Sequence, residues 1–369
     1  MMAIPSFIII LSLIVFVQVV IYSKWALSKI HYSRYINQPK VFEGQKTVIT
    51  EEISNHKLLP LPWIRLESRM HPNLRFGSQE NLNVVGDQFH RSLFTLAPFQ
   101  KIKRRHQVTC MKRGFYSLPT VTMTSGDLLG ISQNFKTIHV DCEIIVYPKL
   151  LKMSELPLPS SSWQGDTIVK RWIIEDPFIV SGVRRYGTND TMKQVNWKAT
   201  VRTGELQVNK RDFTANYDFL LYINFDQEEK NWNQERYEQQ LEKAISYAAT
   251  LATFMINNGL AVGLYCNSFI TDGAESVRNK RKPIRIKPRK GKAHLQALYE
   301  QLARLQLAPS VTFGQLLEQD VQCRLNGQDI LIITPQLNDK ANIQIEQLKR
   351  LRNKVHTMWI EEKNYQKRA

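Results

Sequence analysis

Only four cysteines occur in this 369-residue sequence, Cys110, Cys142, Cys266 and Cys323, and no two form a Cys-x-x-Cys pair. That spacing excludes a zinc ribbon and a disulfide framework, and it suits free, partly buried thiols in a reducing compartment. Catalytic motifs are missing as well. The chain has no His-Glu-x-x-His, no Gly-x-Ser-x-Gly and no glycine-rich loop leading into Lys-Ser or Lys-Thr. Gly291 and Lys292 in "RKGKAHL" lack the upstream glycines that would cradle a phosphate. The eight histidines (31, 56, 71, 90, 106, 139, 294 and 356) show no metal-ligand spacing. A Cys–His nucleophile pair could therefore arise only through the fold. These absences argue against an enzyme.

Acidic residues are absent from two long stretches. "KIKRRHQVTCMKR" (101–113) carries six Lys or Arg and "RNKRKPIRIKPRKGK" (278–292) carries nine, within a formal net charge of +17. Lys101, Lys103, Arg104, Arg105, Arg278, Lys280, Arg281 and Lys282 are thus candidate basic surface residues. An anionic membrane surface is one partner for them, and a solvated loop is an equal reading of the second stretch. Nucleic acid is not favoured, because no zinc spacing, recognition helix or RNA-binding aromatic motif accompanies the charge.

What the sequence does have, first, is one long apolar run. "IPSFIIILSLIVFVQVVIY" (4–22) is free of charge, and as a helix it would extend roughly 28 Å, close to the hydrocarbon thickness of a bilayer. No cationic stretch precedes it and no small-x-small cleavage site follows, as a signal peptide would require. Lys24, Lys29 and Arg34 follow it, with Tyr22, Trp25, Tyr32 and Tyr35 as an interfacial belt. The positive-inside rule then predicts a single-pass cell-membrane protein with its N-terminus outside and its soluble domains in the cytoplasm.

Residues 41–150 read as a β-rich, sandwich-like domain. "KTVITEEISN" alternates over part of its length, and "LPWIRLESRM" sets Ile64, Leu66 and Ser68 opposite Arg65, Glu67 and Arg69. A Pro- and Ser-rich connector opens the segment 151–214. From 215 to 369 the pattern alternates strands and helices: "YDFLLYINFD" as a covered strand, "EQQLEKAISYAATLATFMINNG" as a helix, then β-α-α-β-α-β. The helix has an inner stripe of Leu241, Ile245, Ala248, Ala252 and Met255 and stops at Gly259. This order predicts a parallel, doubly wound α/β domain, so the whole is α+β with two soluble domains behind a membrane helix.

The connector ends in "RRYGTNDTMKQVNWKATVRTGEL", and here the chain resembles the bacterial domain-of-unknown-function 58 family. The matching residues are Arg185, Tyr186, Asp190, Val195, Trp197, Lys198, Arg202, Gly204 and Leu206. "RGFYSLPTVTMTSGDLLGI" (113–131) is similar to that family's Arg-Gly-x-Tyr strand and following turn. Asn189 replaces the family's glycine and Val201 its alanine, and this chain has one apolar span where such proteins often have two. The resemblance implies a von Willebrand A-like α/β domain, and as partners an AAA+ ATPase of the MoxR type or a membrane-bound transglutaminase-like protein. It supplies no reaction.

A von Willebrand A domain holds Mg²⁺ on an Asp-x-Ser-x-Ser loop after its first strand. The corresponding positions here are Asn224, Asp226 and Glu228, so the hydroxyl pair is missing. No cofactor is expected, although oxygen ligands for a distorted Mg²⁺ site remain. In the signature stretch, a short helix over "TMKQVNWKATVRTG" capped by Asn189 or Asp190 is expected. Trp197 and Arg202 would then bracket the two domains, or the Arg–Lys face would receive an acidic partner. The function expected is a membrane-anchored scaffold or adaptor for protein partners. The alternatives are an envelope-related enzyme with a divergent Mg²⁺ site, or binding of anionic lipid or nucleic acid by the basic clusters.

Overall fold

The computed structural model describes residues 3–77, 82–85, 89–157, 175–187, 192, 195–213, 218–227, 234–270 and 281–360. The chain divides into two compact units, Met1–Lys149 and Leu150–Ala369.

The first unit opens with helix α1, Ala3–Trp25, which is long and apolar enough to span a membrane. Behind it the chain is β-rich. A four-stranded sheet is ordered Ile30–Ile36, Lys46–Asn55, Lys101–Cys110, Leu74–Phe76. A five-stranded sheet is ordered Gln133–His139, Thr120–Gly126, Leu61–Arg69, Phe89–Leu96, Leu82–Val85, and three short strands form a third. The alternation predicted for Leu61–Arg69 holds, with Ile64, Leu66 and Ser68 buried. Ile53 of one sheet shares a core with Leu61, Ile64, Leu66 and Met123 of the other, and Tyr22 of α1 and Ala26 just after it join it. A second core gathers Ile49, Leu74, Val108, Tyr116 and Ile144.

The stretch after α1 departs from expectation. Strand Ile30–Ile36 starts ahead of residue 41 and pairs antiparallel with Lys46–Asn55, which sets Arg34 directly opposite Glu51. Arg34 is buried there, its guanidinium 2.6 Å from Glu51 and 2.9 Å from the Ser68 hydroxyl. The Tyr32 hydroxyl donates to the same Glu51 oxygen at 2.8 Å, and His106 lies 3.2 Å from the other. Arg34 and Tyr32 therefore serve the β unit rather than a membrane flank. Tyr22 is buried in the core, which leaves Trp25 as the exposed aromatic at the helix end.

The second unit is mixed α/β. Its main sheet is ordered Ile284–Arg289, Val262–Cys266, Phe219–Ile223, Asp329–Thr334, Lys354–Trp359, parallel throughout except for the first strand. The three inner strands are buried at every residue, as a sheet covered on both faces requires. Helix α2 is Trp197–Thr203, α3 Gln234–Asn257, α4 Lys292–Arg304, α5 Phe313–Gln322 and α6 Asp339–Arg350. Helices α5 and α6 pack Phe313, Leu316, Leu317, Ile345 and Leu348 against Leu220, Tyr222, Ile330 and Ile332. The predicted stripe of α3 is fully buried, and Gly259 follows with φ 82°.

The edge strand Ile284–Arg289 is a correction to the expected element order. It lies inside the second basic stretch, where charge masked the alternation of Ile284, Ile286 and Pro288 inward with Arg285, Lys287 and Arg289 outward. Lys and Pro on an edge also discourage pairing with another chain. Gly263 is required opposite it, since a Cβ there would stand 2.6 Å from the Ile286 carbonyl oxygen and 2.7 Å from Leu220.

Candidate functional site

The parallel strand Phe219–Ile223 ends in Asn224, Phe225 and Asp226, and these residues organise the carboxyl edge of the sheet. Asn224 is buried. Its Oδ1 accepts the Asp226 N–H at 2.8 Å, and its Nδ2 donates to the Thr334 hydroxyl at 3.0 Å and the Gln336 carbonyl at 2.8 Å. Asn267, directly after strand Val262–Cys266, is 0% exposed. Its Oδ1 accepts the Phe225 N–H at 2.8 Å, and its Nδ2 donates to Asp226 at 2.8 Å and to the Val311 carbonyl at 3.0 Å. Three parallel strands are thereby laced to the loop that enters α5.

Asp226 closes the network from the other side. Both its oxygens accept the N–H of Phe313, the first residue of α5, at 3.0 Å. A carboxylate here compensates the positive end of the helix. Thr312 completes the cap, accepting from Gln315 N–H while the Gln315 side chain accepts from Thr312 N–H. Asn338 caps α6 in the same region through Ala341 N–H. A cleft of about 740 Å³ opens beside Asp226, walled by Pro309, Val311, Thr312, Gln315 and Leu337.

Burial raises the Asp226 carboxyl above its usual 3.8, against the lowering effect of Phe313 N–H and Asn267. A folded-state value above the unfolded one means that its proton-linked contribution is fully present below pH 3.8 and lost as pH rises through the folded value. Asp226→Asn is expected to flatten that part of the stability profile, as read by urea melts from acid to neutral pH.

The residues expected as metal ligands divide. Asn224 has its polar atoms engaged within the sheet edge, Asp226 faces the cleft, and Glu228 lies outside the described residues. Asp226 is the one carboxylate on the described cleft wall, and it already faces a helix N-terminus. Among the described residues no group of three His, Cys, Asp or Glu stands close enough to hold a metal ion.

The signature residues occupy a hairpin and the short helix beside it. Strand Glu175–Arg185 pairs with Gln207–Phe213, and Val195 bridges to Val208. Helix α2 begins at Trp197 rather than at the expected Thr191, capped by Asn196 through Ala199 N–H and closed by Gly204 at φ 73°. Asn189 and Asp190, the expected caps, lie outside the described residues. Arg185 pairs with Glu205 at 2.8 Å on the surface, Tyr186 N–H donates to Leu206, and Lys198 and Arg202 are exposed. Trp197 is 60% exposed. Trp197→Ala is expected to change stability by no more than about 0.5 kcal/mol, as other surface substitutions do. A thermal melt beside the unsubstituted protein checks it.

The basic stretches are partly internal to the fold. Lys101 and Lys103 both pair with Glu52, at 2.6 and 2.9 Å, and hold its carboxyl down at about 2. Arg104 lies over the Phe94 ring, whereas the Arg105 side chain is exposed. Arg281 lies over Phe269, and Lys282 is exposed. Arg285 pairs with Asp320 at 3.0 Å, and Tyr222 donates to that same Asp320. Arg278 and Lys280 lie outside the described residues. Of the four thiols, Cys110, Cys142 and Cys266 are buried and Cys323 is exposed, all of them free.

Asn267, Thr312, Gln336 and Asn338 were not singled out from the sequence. Thr312-x-x-Gln315 carries the capping-box pattern, so that signal was present. Asn267 had a weaker one, a polar residue at the carboxyl end of a covered strand.

Comparison with known proteins finds similarity over the residues that build this site. An uncharacterized protein, YeaD from Bacillus subtilis (strain 168), is 20% identical over 358 residues, covering 90% of this chain and 84% of that protein. Among solved structures, a non-cellulosomal cohesin from Archaeoglobus fulgidus covers 31% of this chain and 90% of its own, at 11% identity and a TM-score of 0.22. A CARDB domain from Pyrococcus furiosus covers 32% of this chain and 96% of its own, at 13% identity and a TM-score of 0.21. Scores this low carry no argument about fold or partners. The family described as "Protein of unknown function DUF58" matches residues 182–354, from the signature hairpin to the last strand of the sheet, and over those residues the chain is similar to that family.

Proposed function

We propose that this protein is a membrane-anchored scaffold whose α/β unit, a degenerate von Willebrand A-like domain, receives a protein partner in the cleft beside Asp226. The observation that carries this reading is the cleft itself, at the carboxyl edge of a parallel sheet, where ligands of this architecture bind. Its wall combines apolar Pro309, Val311 and Leu337 with the amides of Gln227, Gln315, Gln336 and Asn338. That mixture suits an extended peptide segment, which needs both contact area and partners for its backbone. The walls are held by a satisfied network, so the surface is preorganised and little ordering is needed on binding.

Helix α1 supplies the anchor, and Lys24 and Lys29 after it favour a cytoplasmic location for both units. Among partner classes, a MoxR-type AAA+ ATPase ranks first and a transglutaminase-like membrane protein second, as the family resemblance implies. Affinity capture from native membranes tests this, with the full chain compared with its Gln227→Arg/Leu337→Asp variant. Retention of one protein by the parent and its loss from the folded variant is the expected result. Equal retention by both removes the cleft from the proposal.

A further inference from the structure

At the end of α1 the β unit presents apolar side chains where a soluble protein would place polar ones. The hairpin joining Thr120–Gly126 to Gln133–His139 has the tip "DLLGIS" (127–132). Leu128, Leu129 and Ile131 are 63%, 59% and 64% exposed, and Phe135 just beyond is 79% exposed. The polar residue of the tip points the other way. Asp127 is buried, with one carboxylate oxygen accepting Ser132 N–H at 2.7 Å and the other Leu129 N–H at 3.2 Å.

The tip is built rather than loose. Trp63 donates its indole N–H to the Asp127 carbonyl at 3.0 Å, and Gly130 sits at φ 73°, where a side chain would be strained. A Cβ on Gly126 would stand 2.0 Å from the Ser132 carbonyl oxygen. Satisfied polar groups inside and four large apolar groups outside are the reverse of an ordinary surface turn.

Position supplies the occupant. Asn134, the second residue after the tip, donates to the carbonyl of Ser23 at 2.7 Å, in the last turn of α1. On another side of the same helix end, Lys57 donates to the carbonyls of Trp25, Ala26 and Ser28. The neighbouring Leu58 and Trp25 itself are also exposed. The hairpin tip and the Lys57–Leu58 turn are thus both held at the end of α1, where Trp25, Leu58, Leu128, Leu129, Ile131 and Phe135 form a collar of exposed apolar side chains. Lys24 and Lys57 lie at the same level, the arrangement expected at a headgroup boundary.

We propose that this collar, centred on the hairpin tip 127–132, inserts into the bilayer interface around α1 and fixes the β unit against the lipid surface. The inference rests on the reading of α1 as a membrane span. Its occupant is lipid rather than a protein, because the collar is held at the end of the helix that lipid would surround. Two shallow contacts beside one span restrict the tilt of a unit that a lone helix would leave free to swing.

The test uses the full chain in vesicles of phosphatidylcholine and phosphatidylglycerol, in a Cys323→Ser background whose other thiols are buried. An environment-sensitive fluorophore is attached at Leu129→Cys, at Ile10→Cys within α1, or at Met111→Cys, an exposed position adjoining the second core. Blue-shifted emission and quenching by nitroxide lipids at positions 129 and 10, with aqueous emission at 111, is the expected result. Quenching at 10 with aqueous emission at 129 overturns the collar and leaves the span intact. Aqueous emission at 10 overturns the span, and the collar with it. Equal quenching at 111 and 129 also overturns the collar, because contact would then not be local.

Discussion

Arg34→Met is expected to destabilise the β unit by about 3–5 kcal/mol, the usual consequence of removing one partner from a buried ion pair. Glu51 is buried and takes hydrogen bonds from Arg34 and Tyr32 on one oxygen, with His106 beside the other. Methionine fills much of the volume of arginine but supplies no charge and no donor, so Glu51 is left ionised in a region of low polarity. Desolvation by burial, followed by the Glu51 charge, already drives the Tyr32 hydroxyl far above its usual value. Glu51→Leu in the Arg34→Met background is expected to recover much of the loss, since a buried pair replaced by apolar residues is often neutral. Urea denaturation of the four proteins of this cycle measures the coupling directly. Equal stability of Arg34→Met and the parent would show that the pair is not buried as described.

Asn267→Ala carries the second large effect, roughly 3 kcal/mol, because each stranded buried polar group costs about 1–3 kcal/mol. The substitution strands Phe225 N–H, removes a donor from Asp226 and frees the Val311 carbonyl. Unlike Arg34→Met, it acts beside the proposed binding surface, since Val311 and Asp226 both line the cleft. Partner capture is therefore expected to weaken together with stability. Asn267→Asp separates charge from shape. A second carboxylate close to Asp226 cannot ionise freely, so one of the two holds a proton to higher pH than either would alone. That variant is expected to be less stable than the parent at neutral pH and to approach it as pH falls. A flat difference between their melting temperatures across that range would contradict the contact.

How far the sequence could be read depended on whether a feature is set locally. The stripe of α3 and the alternation of Leu61–Arg69 follow from period alone, and both are present. The β-rich and mixed α/β regions were visible for the same reason. Arg34 was misjudged because its partner lies across a strand pairing, 17 residues away, and nothing near it predicts an acid opposite. It therefore drops out of the cationic flank, which leaves Lys24 and Lys29.

The edge strand Ile284–Arg289 was hidden by nine cations that read as a surface cluster, although Ile284 and Ile286 alternated beneath them. Trp197 lies exposed on the short helix α2, a placement set by what surrounds that helix and not by the size of the residue. At the candidate site, Asp226 was found from the family pattern, and Asn267 was not found. Its partners Phe225, Asp226 and Val311 come from segments that only the parallel register brings together.

The most direct test of the central claim is site-specific photocrosslinking of the full chain in its native membrane. A photoreactive side chain is placed at Gln315 in the cleft wall, and separately at Val201, which is exposed on α2. One protein adduct of defined mass from position 315, and none of that mass from position 201, is the expected result. The same adduct from 201 with none from 315 would contradict it, and would locate the partner surface on the signature helix instead.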